Sequence, residues 1–237
     1  MKEHYDFRTG EVLLVDKPLG WTSFDVVNKL RWKIRKLYDV KKFKVGHAGT
    51  LDPLATGLLI ICTGKMTKKS QELMADDKTY TGTILLGKTT PSFDLETEYD
   101  QSFSTENIDI ASLEKVAKSF IGEQLQTPPV YSAKKIDGKR AYESAREGKT
   151  IEMRKNLVNI HDFEISTARF PEIDFKIKCS KGTYIRSIAN DFGKALDNGG
   201  TLIALRRTAS GDFNIDDAKK VEDWLTVIEN TQVNAQQ

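Results

Sequence analysis

The chain has 237 residues, 39% of them hydrophobic, which suits one large domain or a domain with a small appendage. Its 36 basic and 34 acidic residues leave a net charge of +2, which by itself indicates nothing about nucleic acid. No apolar run approaches the roughly 20 residues of a membrane span, and residues 1–6 do not resemble a signal peptide. We therefore predict a cytoplasmic protein, outside the membrane, with reduced, buried thiols at Cys62 and Cys179.

The first half of the chain alternates strand and helix patterns. Ser23 is a typical N-cap residue, and Asp25 in the first turn favours the helix dipole. The buried stripe of this helix is predicted to be Phe24, Val27, Leu30, Ile34 and Leu37. The other predictions are strands over 11–17, 58–62 and 78–87, helices over 67–77 and 112–121, and an exposed acidic excursion over 88–108.

In the second half, two prolines make residues 126–135 irregular. Alternation of Ile173, Phe175, Ile177 and Cys179 with polar residues predicts a half-buried strand. The other predictions are a basic helix over 141–147, strands over 151–165 and 201–208, a helix capped by Thr183, and a polar tail over the last fifteen or so residues.

Charge is segregated along the chain. Residues 29–44 hold eight Lys or Arg and one acid, and residues 134–155 hold eight against four. Residues 94–123 instead hold eight acids and two lysines. This pattern favours a basic face that binds a polyanion, although ordinary solvated helix faces would give the same pattern.

Residues 44–57 hold the strongest candidate for chemistry. Three glycines, a proline, His47 and Asp52 fall in a segment with neither helical nor strand period, directly before the apolar run 58–62. Pro53 restricts Asp52 to an extended conformation, so the buried strand would hold a short loop with one acid rigidly. A nucleophile or a general base needs such a mount, but a simple turn fits the composition as well.

Other functional sites fit this segment poorly. The spacing of Gly57 and Gly64-Lys65 does not match a phosphate-binding loop. His47 and Asp52 are too few ligands for a metal, and the chain has no histidine or cysteine pair at ligand spacing. The nucleophile elbow of a serine hydrolase is also missing.

A second candidate lies where the strand ending at Cys179 turns into the next helix. Tyr184 and Arg186 fall in the first turn of that helix. A cation at a helix N-terminus opposes the dipole, so Arg186 is predicted to have an anionic partner, the alternative being a surface arginine.

With these residues, the chain resembles the bacterial tRNA pseudouridine synthase B (TruB) family over residues 11 to about 225. Six pieces in family order carry the resemblance: Asp16-Lys17-Pro18 with Gly20-Trp21-Thr22-Ser23, the run from Gly46 to Gly57, Lys78-Thr79-Tyr80, the run from Thr127 to Ala133, the run from Ser180 to Arg186, and Leu205-Arg206-Arg207.

The resemblance implies an α+β pseudouridine synthase fold, with a mixed, mostly antiparallel central β-sheet flanked by helices and loops. It implies one catalytic domain over 1–237 that isomerises uridine 55 in the T loop of tRNA, with no cofactor and no metal. Many members continue into an RNA-binding PUA domain, for which this chain has no room. We expect a monomer whose RNA affinity comes from the catalytic domain.

The resemblance also assigns roles to single residues. Asp52 would be the nucleophile, and Arg186 would pair with it. Tyr80 would stack on the target base and assist proton removal. The substrate-binding residues would be Tyr184, which lines the pocket, His47, which occupies the space left by the flipped nucleotide, and Lys17 and Leu205.

The residues alone leave the chemistry of Asp52 open between attack on C1′, addition to C6 and assistance of glycal formation. Two other functions also fit: a non-catalytic RNA-binding or tRNA-folding protein on this fold, and a related synthase acting on another RNA. The presence of both Asp52 and Tyr80 favours the enzyme.

Overall fold

A computed structural model describes residues 4–131, 135–136, 139–140 and 153–231. The predicted helix over 141–147 and residues 151–152 lie outside them. The chain separates into two compact units. The first unit comprises Met1–Lys78 and Arg206–Gln237, and the second unit comprises Thr79–Leu205.

The helices and strands of the described residues follow in chain order. The α-helices are α1 (Ser23–Leu37), α2 (Ser70–Met74), α3 (Ile110–Ser119), α4 (Ile185–Lys194) and α5 (Val221–Glu229). Short 3₁₀ helices cover Gly64–Lys69 and Ile215–Asp217. The strands are β1 (Val12–Lys17), β2 (Val45–Ala48), β3 (Ala55–Thr63), β4 (Lys78–Leu86), β5 (Lys88–Thr89), β6 (Gln101–Ser102), β7 (Gly122–Gln126), β8 (Lys135–Ile136), β9 (Lys139–Arg140), β10 (Asn156–Arg169), β11 (Glu172–Cys179), β12 (Gly200–Ser210), β13 (Phe213–Asn214) and β14 (Lys219–Lys220).

In the first unit, β3 is the central strand. It pairs antiparallel with both β1 and β2. Strand β1 in turn pairs in parallel with β14. Residues 58–62 of β3 are fully buried, which confirms the predicted strand. Their apolar side chains fill the core, as expected for a strand covered on both faces.

Helix α1 corrects two predictions. Thr22, not Ser23, is its N-cap: the Thr22 hydroxyl accepts from the Asp25 N–H, and the Thr22 N–H donates to the Asp25 carboxylate. Phe24 was predicted to be buried but is 59% exposed, and Val26 is buried instead. The buried stripe is therefore rotated about the helix axis, and the Phe24 face of α1 lies open to solvent.

The second unit is built on β10 and β11, a long antiparallel pair with β7 on the outer side of β10. The strand order in this unit is β12-β4-β11-β10-β7. The core of the unit holds four phenylalanine rings, whose centroids lie about 6 Å apart, at residues 120, 163, 175 and 192. The arrangement of strands is thus mixed and mostly antiparallel, with helices beside it, as predicted.

Three other predictions fail. The C-terminal residues are not a polar tail up to residue 229, because α5 buries Trp224 and Ile228. The segment 88–108 is not wholly exposed, because Ser92 and Asp94 are buried in it. Helix α4 is capped at Tyr184 rather than Thr183. Within the described ranges, no helix is long and apolar enough to cross a membrane.

Candidate active site

Asp52 lies in a six-residue loop, 49–54, between β2 and β3 in the first unit, so the irregular segment is shorter than predicted. Asp52 itself is half-buried. The residue before it, Leu51, is fixed by Ser23 of α1: the Leu51 N–H donates to the Ser23 hydroxyl at 2.8 Å, and that hydroxyl donates back to the Leu51 carbonyl at 3.1 Å. The backbone directly before the Asp52 carboxylate is therefore fixed by two hydrogen bonds, and a reactive group requires such a fixed position.

Lys17 anchors the other side of this loop. Its side chain is fully buried, and its ammonium donates to the carbonyls of Pro18 at 2.9 Å, Trp21 at 2.6 Å and Pro53 at 3.5 Å. Burial lowers the pKa of Lys17 to about 8, and the nearby Asp52 carboxylate acts in the opposite direction. Lys17 thus ties the residue after Asp52 to the turn that precedes α1, and it faces carbonyl groups rather than solvent.

Arg207 connects the start of the same loop to β3. It is 1% exposed, and its guanidinium donates to the carbonyls of Leu58 at 2.7 Å and Gly49 at 3.1 Å. A Cβ on Gly57, where φ is +102°, would lie 2.3 Å from the Arg207 carbonyl oxygen. Only glycine permits this close approach of β12 to β3.

His47 lies on β2, a strand that the sequence did not predict. Burial, followed by the charge of Arg207, lowers the pKa of His47, and a hydrogen bond with Gly49 opposes this weakly. The imidazole is therefore neutral near pH 7. Its Nδ1 is buried with no hydrogen-bond partner in the part of the chain that the structure describes.

In the second unit, Arg186 lies in the first turn of α4 and is 4% exposed. Its Nε lies 3.6 Å from Asp94, whose side chain is also buried. Its Nη1 donates to the carbonyl of Tyr131 at 2.9 Å. The predicted anionic partner therefore exists, and Asp94 is one such group. The pairing of Arg186 with Asp52 stays a prediction.

Tyr184 is fixed by a side chain that the sequence did not single out. The Tyr184 N–H donates to Gln126 Oε1 at 2.7 Å, and Gln126 Nε2 donates to the Tyr184 carbonyl at 3.1 Å. In the next turn, the Ser187 hydroxyl donates to the Thr127 carbonyl at 2.8 Å. The motif run that begins at Thr127 and the motif run that ends at Arg186 are thus held together by hydrogen bonds.

The candidate residues fall into two groups. Asp52, His47 and Lys17 belong to the first unit, which brings them together around the loop 49–54. The second unit holds Tyr184 and Arg186 at the N-terminus of α4, Tyr80 on β4 with 9% exposure, and Leu205 on β12.

Two buried charged residues were missed as site residues. Asp94 is hidden in sequence among seven other acids of an acidic stretch, so no pattern distinguishes it. Arg207 belongs to the family motif Leu205-Arg206-Arg207, but β12 has no regular alternation that would distinguish it as a buried side chain. Among the described residues, no group of three or more His, Cys, Asp or Glu could hold a metal ion.

Comparison with known proteins identifies the family. The profile of the TruB family pseudouridylate synthase (N-terminal domain) matches residues 35–185. A tRNA pseudouridine synthase B from Flavobacterium johnsoniae is 56% identical over 214 residues, or 90% of this chain and 93% of that protein. The chain belongs to the TruB family. A second TruB relative, a tRNA pseudouridine synthase B from Phocaeicola vulgatus, is 51% identical over 93% of this chain and 95% of its own. As a TruB family member, the chain is a pseudouridine synthase, an isomerase.

Solved structures confirm the TruB family fold. In the crystal structure of a Cbf5–Nop10–Gar1 complex, the matching chain has a TM-score of 0.69 and 28% identity over 93% of this chain. The chain spans about half the length of that protein, 54%. An H/ACA RNP bound to a substrate RNA containing 2′-deoxyuridine gives a TM-score of 0.66 with 26% identity, and the match covers 93% of this chain and 53% of that one. The predicted pseudouridine synthase fold is therefore confirmed.

Proposed function

We propose that this enzyme isomerises uridine 55 in the T loop of tRNA to pseudouridine, with Asp52 as the nucleophile. The observation that carries the proposal is the 56% identity to a tRNA pseudouridine synthase B over almost the whole of both chains. The anchoring of the Asp52 loop by Ser23, Lys17 and Arg207 supports it, because a nucleophile needs a fixed position.

The chemistry requires three events. The glycosidic bond from C1′ to N1 breaks while a carboxylate holds the sugar or the base, the uracil turns, and a new bond forms from C1′ to C5. The proton on C5 must then leave, which requires a base. The uridine must also leave its stack first, because C5 and C1′ are inaccessible inside a folded loop. Attack at C1′, addition at C6 and glycal formation all remain compatible with this sequence of events.

The remaining roles follow the family resemblance. Tyr80 stacks on the uracil and assists removal of the C5 proton, and Tyr184 and Leu205 line the substrate pocket. Arg186 pairs with Asp52, while its contact with Asp94 fixes the guanidinium. A neutral His47 fills the space of the flipped nucleotide without adding charge.

Lys17 acts indirectly in this proposal. Since its ammonium is buried against carbonyl groups, it shapes the substrate site by holding Pro53 and the turn at Trp21. We further propose a monomeric catalytic protein that acts in the cytoplasm on the T arm of tRNA, with no cofactor and no metal.

The decisive experiment is Asp52→Asn, because asparagine keeps the shape but is a poor nucleophile. The matched control is Asp39→Asn: Asp39 is exposed with φ of +50°, a conformation that asparagine adopts readily. Pseudouridine is mapped in an unmodified tRNA transcript incubated with each protein, and transcript binding is measured in parallel.

We expect the Asp52 variant to bind the transcript and form no pseudouridine, while the Asp39 variant forms pseudouridine at position 55 as the wild type does. Turnover by the Asp52 variant above a few per cent of wild type would contradict the nucleophile assignment. Modification at another position, or only in another RNA, would show that the substrate is that nucleotide and not uridine 55 of tRNA. Tight binding without turnover by the wild type would indicate a tRNA-folding protein.

A further inference from the structure

The exposed face of α1 forms one wall of a cavity of about 490 Å³ that none of the proposed catalytic roles uses. The loop between α1 and β2 forms the other wall. We call this cavity the α1 pocket, and its lining includes Arg31, Trp32, Arg35, Lys41, Lys42 and Phe43. Cavities of this size hold small organic molecules, and a single nucleotide falls in this range.

The cations of the α1 pocket have no acidic partner among the residues that the structure describes. Among the described residues, no carboxylate forms an ion pair with Arg31, Arg35, Lys41 or Lys42, whereas Lys33 on the same helix pairs with Glu229 at 2.9 Å. Four like charges around one cavity repel each other. An arrangement of this kind attracts polyanions from solution.

The α1 pocket also offers an aromatic surface. Trp32 is 50% exposed although it lines the cavity, and the ammonium of Lys36 lies 4.2 Å from the centroid of its ring. Phe43 is held in place by stacking on Tyr38 with an angle of 1° between the rings. A wide ring beside several cations is how proteins bind unpaired nucleotides, since the base stacks while the phosphate pairs.

We infer that the α1 pocket binds an unpaired nucleotide of the substrate RNA, with the base on Trp32 and its phosphates on Arg31, Arg35, Lys41 and Lys42. The inference rests on the proposed function for the identity of the RNA. Ser23, which fixes the Asp52 loop, and Trp32 are nine residues apart on α1, or about 14 Å along the helix axis. The bound nucleotide is therefore a different one from the uridine that reacts.

The test measures binding of an unmodified tRNA transcript between about 50 and 300 mM salt. Arg31→Ala combined with Arg35→Ala removes two charges from the α1 pocket. The matched control combines Lys115→Ala with Lys118→Ala, two exposed cations of α3. Each phosphate contact contributes about 0.7–0.9 to the slope of log K against log[salt]. We therefore expect the pocket variant to lose about 1.4–1.8 from the slope, and the control to keep it.

Trp32 provides an independent readout. Loss of base stacking in Trp32→Ala should weaken binding by roughly 5- to 100-fold. Trp32→Phe keeps an aromatic ring, so its affinity should stay near that of the wild type. The bound RNA should nevertheless quench less tryptophan fluorescence in Trp32→Phe than in the wild type, because the stacked indole is gone. Since Trp32 is half exposed, neither substitution should unfold the chain.

The outcomes separate this inference from the proposed function. If the pocket variants bind and respond to salt as the control does, the inference is overturned, and an acidic protein segment becomes the better candidate occupant. If the wild type does not bind the transcript, the inference also fails. If the pocket variants lose affinity as expected while the wild type forms no pseudouridine, the α1 pocket stands and the proposed function falls.

Discussion

Arg207 should contribute far more to stability than Arg206, its neighbour on β12, although within the described part of the chain only Arg206 of the two forms an ion pair. Arg206 forms a two-pronged bond with the Asp16 carboxylate at 2.8 and 2.9 Å, and both side chains are partly exposed. Arg207 is buried, and its partners are two carbonyls. The perturbation that we propose is Arg207→Met, with Arg206→Met as the matched control.

The expected loss in the free energy of unfolding follows from the hydrogen bonds or the ion pair that each substitution removes. Hydrogen bonds to a charged group are worth about 1.5–3 kcal/mol each, so the two that Arg207 donates amount to roughly 3–6 kcal/mol. The buried methionine recovers part of this as apolar burial, which leaves a net loss of about 2–4 kcal/mol. A partly exposed ion pair is worth about 0.2–1 kcal/mol, and water can hydrate Asp16 once Arg206 is gone.

The assay is urea denaturation followed by circular dichroism, with the thermal midpoint as a second measure. For a chain of this size, each kcal/mol shifts the midpoint by about 2–4 °C, so Arg207→Met should lower it by roughly 4–16 °C and Arg206→Met by no more than about 4 °C. Equal losses for the two variants, or a larger loss for Arg206→Met, would refute the reasoning that buried carbonyls outweigh a visible ion pair here.

Four further predictions follow. Gly57→Ala places a Cβ 2.3 Å from the Arg207 carbonyl oxygen at a residue with positive φ, whereas the Cβ of the control Gly46→Ala would meet nothing within 4 Å. The thermal midpoint of Gly57→Ala should therefore lie well below that of Gly46→Ala, and equal midpoints would contradict this. Burial lowers the pKa of His47, so below about pH 6.5 the unfolded chain binds a proton at this residue more readily than the folded chain does. The free energy of unfolding should therefore decrease as the pH is lowered from 7 to 5. Urea titrations of His47→Gln should show a smaller decrease, and an equal decrease would refute this linkage. Tyr80→Phe keeps the ring but loses the hydroxyl, so single-turnover rates should fall by roughly 10²–10⁴ with tRNA affinity retained; full speed would leave Tyr80 only a stacking role. Turnover should survive EDTA, provided that the tRNA stays folded; loss of turnover that one divalent metal restores would show a metal requirement.

The two strands with the clearest sequence patterns were predicted because their signals are local, whereas β2 and β7 were missed. The apolar run 58–62 and the alternation at 173–179 both encode burial directly, and both are strands. Helix termini were less certain, because Thr22 and Ser23 are equally good N-caps by type. The difference is tertiary: Ser23 is bonded to Leu51, 28 residues away, which leaves Thr22 as the cap.

The motifs of the site were predictable from the sequence, but the residues that hold the motif side chains in place were not. Residues 46–57 stand out by composition, and the family resemblance adds roles. Asp94, by contrast, reaches Arg186 from a segment whose acidity predicts exposure. Helix α5 could have been predicted, because its buried residues Val221, Trp224 and Ile228 follow helical spacing. Its partner could not, because Trp224 donates to the Leu14 carbonyl at the far end of the sequence.

The chain order of the two units has a consequence for biosynthesis. The first unit needs residues from both ends of the chain, whereas the second unit is one continuous segment, Thr79–Leu205. As the chain leaves the ribosome, its most apolar strand, β3, appears early, but β12 and α5 appear last. At about 5–20 residues per second, the intervening stretch takes roughly 6–25 s to make. During that interval the second unit is able to fold while β3 still lacks its late-made neighbours, so chains that stop before residue 206 should aggregate or recruit a chaperone.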